Sequence, residues 1–396
     1  MATGSKFAQY RDLPRLAGGG RLIVSFLGRF PTSMVVIGNL TLVTVTTGSV
    51  ASASITSAAL AIANGIGQPV TGRLSDKLGQ RRPLLIVSLL NALFCIIHVY
   101  AATAGAPLSV LVVLAAFIGI TTAPVGALAR VRWYHLAQRP PQLAAALSWE
   151  SMIDEMGFVL GPALVGILSS MISPYLPLLI SASLALTCGV GFALSKNAVG
   201  PQVDSETGAS PALSTVAKAV AVCLVGMAAL GMFFGSTQTS TTAAANAMGN
   251  ESLAGLIYAA LGFGSAITSI GAVALPDTFS LRSRIIWGGI GLAVGSVGCT
   301  FATSFIPLAI LIFLTGMAIG PASVAIFTLA GELSPKGGDA LAVTLLGAIN
   351  ILGVATANAI TGQLVEANWT WGYLFTAGCG LLLTCGTLLS SSKQVR

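Results

Sequence analysis

Read from its N-terminus, the chain alternates long apolar runs with short polar breaks. The runs lack the one-sided apolar stripe of a soluble helix, and each is about 20 residues long, the length a helix needs to cross a bilayer. Twelve runs are expected, at 21–45, 51–73, 83–102, 109–129, 144–169, 176–194, 217–239, 253–275, 285–303, 306–328, 340–365 and 371–389. Glycines and prolines inside them are tolerated, because neighbouring helices satisfy the freed backbone groups. One long polar stretch, 196–216, contains Pro201, Asp204 and Glu206. The expected organisation is therefore an N-terminal tail (1–20), a six-helix bundle (21–195), a linker (196–216), a second six-helix bundle (217–390) and a C-terminal tail (391–396).

Composition sharpens this picture. Charged residues make up only 8% of the chain and hydrophobic ones 55%, whereas a soluble domain carries roughly a quarter charged. The 46 glycines suit helices that must approach closely without a hydrophobic driving force. All six cysteines fall inside apolar runs with no CxxC pair, so neither disulfides nor a metal centre is expected. The net charge of +7 is explained by its distribution. Lys77, Arg81, Arg82, Arg130, Arg132, Arg139, Lys196, Lys218, Arg282, Arg284, Lys336, Lys393 and Arg396 all fall in alternate loops or at the ends, while loops 101–108, 170–176 and 367–370 contain no Lys or Arg. The positive-inside rule then predicts a multi-pass protein of the plasma (inner) membrane with both termini cytoplasmic. No nucleic-acid partner is expected.

The two halves echo one another. Gly119 and Pro124 in span four recur at one constant offset as Gly316 and Pro321 in span ten. The loop with Asp76, Arg81 and Arg82 has a degraded counterpart in Asp277, Arg282 and Arg284. Between spans two and three stands GRLSDKLGQRRPL, from Gly72 to Leu84. It resembles the signature loop of the major facilitator superfamily, roughly G-x-L-A/S-D-R/K-x-G-R/K-R/K-x. The match holds at Gly72, Leu74, Ser75, Asp76, Lys77, Gly79 and Arg81, and departs at Gln80, where the family usually has a basic residue. The resemblance implies an all-α membrane fold of twelve helices in two pseudosymmetric six-helix bundles, with a substrate site between them. It also implies a gating latch. In that latch Asp76 faces a helix N-terminus or a cation, and Arg81 or Arg82 pairs across the cytoplasmic seam. A second stretch, GFVLGPALVG, carries Gly157, Gly161, Pro162 and Gly166. It is similar to the span-five pattern of the superfamily's exporters, with Val165 in place of one glycine, and implies a close helix contact and a bend. Together with the ends of spans four and five, it points to an exporter-like bacterial member.

Charges inside spans carry the most chemistry. Arg29 lies in span one, followed by Pro31, and Glu150, Asp154 and Glu155 lie in span five. A charge at membrane depth costs at least ~2.5–3.5 kcal/mol, so it faces a cavity or a partner. Arg29 and Asp154 lie at similar depths, about 12 and 15 Å from the basic side at ~1.5 Å per residue. Glu150 and Asp154, four apart, share a helix face, and Glu155 points some 100° away. The expected pairs are Arg29 with Asp154 or Glu155, and Glu150 with Arg130 or Arg132. Such a cluster serves either as a proton switch, with Asp154 first and Glu155 second as the proton site, or as a permanent clamp. Asn39, Thr121, Thr122, Gln238 and Asn350 are the candidate cavity residues. They are small and neutral, which argues against a highly charged substrate. His98 and His135 are assigned no role.

No Walker loop, nucleophile triad or metal-ligand cluster is present, so neither an enzyme nor a cofactor is expected. The leading reading is a secondary active transporter, monomeric, whose partners are a small molecule, protons and the lipid bilayer. It exports small, moderately apolar compounds by proton antiport. The alternatives are a proton-coupled importer or facilitator of a metabolite and, in another class, a non-transporting receptor or lipid-handling protein on the same fold.

Overall fold

The computed structural model describes residues 6–202, 210–250, 253–276 and 278–389. Asp204, Glu206, Glu251, Asp277, Lys393 and Arg396 lie outside the described residues, as does the 391–396 tail. Among the described residues the fold is helical and contains no strand. Eleven helices are long and apolar enough to span a membrane. They are α1 (Phe7–Thr47), α2 (Val50–Leu78), α3 (Arg81–Thr103), α4 (Leu108–Leu136), α5 (Pro140–Met171), α6 (Leu176–Leu194), α7 (Ala221–Ala247), α8 (Ala254–Ala274), α10 (Phe305–Leu333), α11 (Asp339–Ala367) and α12 (Trp369–Leu389). The remaining member of the set, α9 (Leu281–Cys299), has 19 residues, about 28 Å of helix. Arg282 and Arg284 in its first turn lower its mean hydropathy. The chain is thus a multi-pass membrane protein.

Local chemistry sets where helices start and break. Ser49 and Ser280 cap α2 and α9 by accepting from the N–H three residues on, at 3.1 and 3.2 Å, which satisfies an otherwise orphaned donor. Prolines interrupt α1, α4 and α10. Pro31, Pro124 and Pro321 cannot donate to Leu27, Ile120 and Met317 one turn back. Turns accordingly appear at Gly28–Arg29, at 121–124 and at Met317–Ala318.

The halves pack by one plan. α2 and α8 lie against α4 and α10, α3 and α9 against α6 and α12, and α1 and α7 against α5 and α11. A side chain at Gly119 would strike the carbonyl of Leu60, and one at Gly316 the carbonyl of Leu261. The repeated glycines therefore let equivalent helices meet backbone to backbone. The bundles meet through α2 with α11, α5 with α8 and α10, and α4 with α11. Leu84, Val125, Leu128 and Phe192 join the second bundle in one apolar core at the basic face. Toward the opposite face the first bundle keeps a core of its own around Leu42, Leu60, Cys95 and Leu178. The molecule is therefore closed along the side that carries the basic loops.

The segment read as a tail is helical from Lys6 and forms the first part of α1. Leu13 and Ala17 are buried against Trp133 and Ala146, Asp12 accepts from Gln142 at 3.0 Å, and Tyr10 donates to the Ile270 carbonyl of α8 at 2.8 Å. The segment bridges the two bundles.

Candidate functional site: a buried charge cluster beside a gate

The break at Gly28–Arg29 turns the Arg29 side chain into the first bundle. Its guanidinium bonds the Glu150 carboxylate, the Glu150 carbonyl at 3.1 Å and Asp154 at 2.9 Å. Arg130 of α4 reaches the other oxygen of Asp154 at 2.6 Å, and Trp133 donates its indole N–H to Glu150 at 2.7 Å. Two cations and two anions thus cancel. Arg29, Arg130 and Glu150 are buried, while the Asp154 side chain is 27% exposed. Gly126 makes room for the cluster, since a methyl group there would lie 3.0 Å from Asp154 and 3.4 Å from Arg29.

Glu150 does not pair with Arg130 or Arg132. Arg29 enters at the level of the α5 turn that carries both Glu150 and Asp154 and takes both. Arg132, two residues beyond Arg130, points to another side of α4. There it donates to Gln80 at 2.8 Å, to Ser195 at 2.5 Å and to the Phe192 carbonyl at 2.9 Å. Glu155 does not meet Arg29 either. It is 7% exposed and faces Ser265 and Tyr258 of α8 across the seam. Among the described residues no cation lies within 4.0 Å of it.

The signature loop lies on the seam between the bundles. Asp76, 2% exposed, accepts from the N–H groups of Ala340 and Leu341 at 3.0 and 2.9 Å. It therefore caps α11 of the other bundle, where the helix dipole favours a negative charge. Gly72 sits where a side chain would strike Thr344 and the Ala340 carbonyl. Gly79 turns the chain at φ +79°, a conformation that costs residues with a Cβ. The linker bonds this loop, with Gln202 N–H on the Asp76 carbonyl at 2.6 Å and Gln80 N–H on the Val199 carbonyl at 2.9 Å. Lys77, Arg81 and Arg82 are exposed and make no cross-seam bond among the described residues. Apart from those of Asp76, the loop's side-chain bonds are made by Gln80, within its own bundle. It is buried and accepts from Arg132, because the loop turns its side chain inward while the arginines face water. His135 lies 3.7 Å from Asp339 across the seam, a contact that no motif in the sequence signals.

Other expected residues take plainer places. In span five only Gly161 makes a close contact, against Ser33 of α1; around Gly157 and Gly166 a side chain would find open space. Helix α5 continues through Pro162 to Met171. Of the five candidate cavity residues, Gln238 alone is exposed. Asn39 donates to Thr56 and Ser57 at 3.0 and 2.8 Å, and Asn350 to the Met227 carbonyl at 3.3 Å. Thr121 and Thr122 return their hydroxyls to carbonyls of α4 at 2.6 and 2.8 Å. The two asparagines tie helices together and the two threonines satisfy their own helix, since a buried polar group needs a bond. Gly126, Gln80 and Trp133 were missed. The single available signal was Gln80's departure from the signature.

The human organic anion transporter MFSD10 (TETRAN) has the same fold, with a TM-score of 0.72 and 16% identity over 94% of this chain and 99% of that one. A variant of the E. coli fucose:proton symporter FucP follows at 0.67 and 16%, over the same 94% and 99%. No curated protein matches the sequence. The sequence profile of the Major Facilitator Superfamily matches twice, over residues 22–249 and 222–392, and the two matches together cover both bundles. With the twin bundles, those two matches place the chain in the major facilitator superfamily: it is a transporter, not an enzyme.

Proposed function

We propose that the chain is a proton-coupled exporter that carries small, moderately apolar compounds by antiport and alternating access. It works as a monomer in the plasma (inner) membrane, with the basic face and both termini in the cytoplasm. On this reading the structure is the outward-facing state. The observation that carries it is the odd carboxyl. Arg29 and Arg130 are matched by Glu150 and Asp154, which leaves Glu155 as an extra acid buried in the seam. Ionised there, it is an uncompensated charge at membrane depth; protonated, it is neutral. Opening the seam exposes it to the cytoplasm, where a proton taken from outside is released. Asp154, held by two guanidiniums, is the lesser candidate for the proton and the better one for a clamp.

Purified protein in proteoliposomes, with an imposed pH gradient and a panel of labelled lipophilic compounds, tests this. Glu155→Gln should lose gradient-driven flux while keeping exchange at equal pH. Undiminished driven flux in that variant would refute the assignment. The fold likeness to a fucose:proton symporter supports import as the second reading, and reversing the gradient in the same vesicles decides between the two.

A further inference from the structure

The Arg130 guanidinium is shared between the charge cluster and the opposite bundle. Its edge bonds Asp154 at 2.6 Å, and its face lies 3.7 Å from the ring centroid of Phe327 in α10. Both geometries suit a guanidinium, which donates in its plane and stacks through its face. Phe327 is anchored in turn. Its carbonyl accepts from the Tyr134 hydroxyl at 2.7 Å, and the Tyr134 ring lies against Gly331, where a methyl group would come within 2.7 Å. The Tyr134 contact crosses the seam one α4 turn from Arg130.

We propose that Phe327, by holding Arg130, decides whether Glu155 keeps its proton, and so ties proton release to the opening of the basic face. The proposal rests on the proton-exchange reading above. The groups that face Glu155 are Asp154 on its own helix, Arg130 from α4, and Ser265 and Tyr258 from α8. While the seam is closed, Arg130 is occupied by the carboxylate of Asp154 and the ring of Phe327, so it faces Glu155 without bonding it and Glu155 stays neutral. When the bundles part, α10 carries Phe327 away. Arg130 then turns to Glu155, whose O–H bond breaks, and the proton passes to cytoplasmic water as the carboxylate takes the cation. Phe327 is a positioning residue, since it touches neither substrate nor proton.

Spin labels at Lys196→Cys, just past the end of α6, and at Lys336→Cys, just past the end of α10, both exposed, report the seam by their separation. The exposed Cys385 is replaced by Ser, and the purified protein is titrated in lipid nanodiscs without substrate. Wild type should move from a short to a long separation as pH rises, and Glu155→Gln should stay short. Phe327→Leu should be long at every pH, and Phe327→Trp should restore the wild-type response. Phe327→Leu combined with Glu155→Gln should close again, because no carboxylate is left to draw Arg130 away. A double variant as open as Phe327→Leu would reduce Phe327 to packing, and a normal pH response in Phe327→Leu would overturn the proposal outright. If wild type and Glu155→Gln are alike insensitive to pH, the proton reading itself fails and takes the proposal with it. Should Phe327→Leu not fold, Arg130→Lys tests the same link, because an ammonium keeps the charge and loses the face. It should likewise be open at every pH and close again with Glu155→Gln.

Discussion

At the scale of single residues, the cluster turns on close charge matching in a dry place. Asp154→Asn leaves Arg130 without its carboxylate and Arg29 with one of its two, and breaking a buried pair costs about 3–5 kcal/mol. The expected outcome is a clearly lower melting temperature of the purified protein. Gly126→Ala tests the same cluster through space. Its methyl group would press on Asp154 at 3.0 Å, and overpacking of this kind costs about 1–3 kcal/mol, so the melting temperature should fall by less. Gln80 carries a third expectation. It accepts from Arg132 at 2.8 Å, so Gln80→Arg, which restores the family's more usual charge, would set two guanidiniums face to face. That variant should unfold at lower temperature than wild type, and a gain in stability would show that Gln80 is not the acceptor Arg132 needs.

Helices act on one another through their ends. Asp76 ties α2 to α11 because the first turn of α11 presents unsatisfied N–H groups to it, and both carboxylate oxygens are used. Asparagine can cap a helix but offers one acceptor and no charge, so Asp76→Asn should lose about 0.3–1 kcal/mol of the closed state. Cysteine-accessibility labelling along the seam should register more opening of the basic face, with expression unchanged. The N-terminal segment adds a second tie. Tyr10 reaches α8 while Asp12 holds α5, so Tyr10→Phe should loosen the same face by about 0.5–1.5 kcal/mol. The same labelling reads it. Unaltered accessibility in both variants would mean that neither contact holds the bundles together.

For the whole molecule, orientation follows from the uneven distribution of Lys and Arg among the loops. Reporter fusions at the two ends should both report the cytoplasm. Fusions in the 101–108 and 367–370 loops should report the opposite side. Opposite reports from the two ends would contradict an even number of crossings. Closure on one face and separate packing toward the other are properties of both bundles together. They rest on the single apolar core that spans the seam.

Length and apolarity of the runs, the spacing of basic loops and the Gly119/Gly316 echo were enough to read the helices, their number and the two-bundle plan. Each depends only on how a local stretch partitions between lipid and water. The signature loop also showed Asp76 and Gly72, because capping and close approach leave marks in residue type. Pairing was another matter. Which of six nearby carboxylates and guanidiniums bond depends on the rotation of α4, α5 and the broken α1 about their axes, and no run of sequence encodes that rotation by itself. Hence Glu150 found Arg29, Arg132 found Gln80, and Glu155 was left alone against α8. The exposed Arg81 and Arg82 and the bonded Asn39 and Asn350 differ from expectation for the same reason. Residue type states what a side chain can do, and only the packed helices decide what lies within its reach.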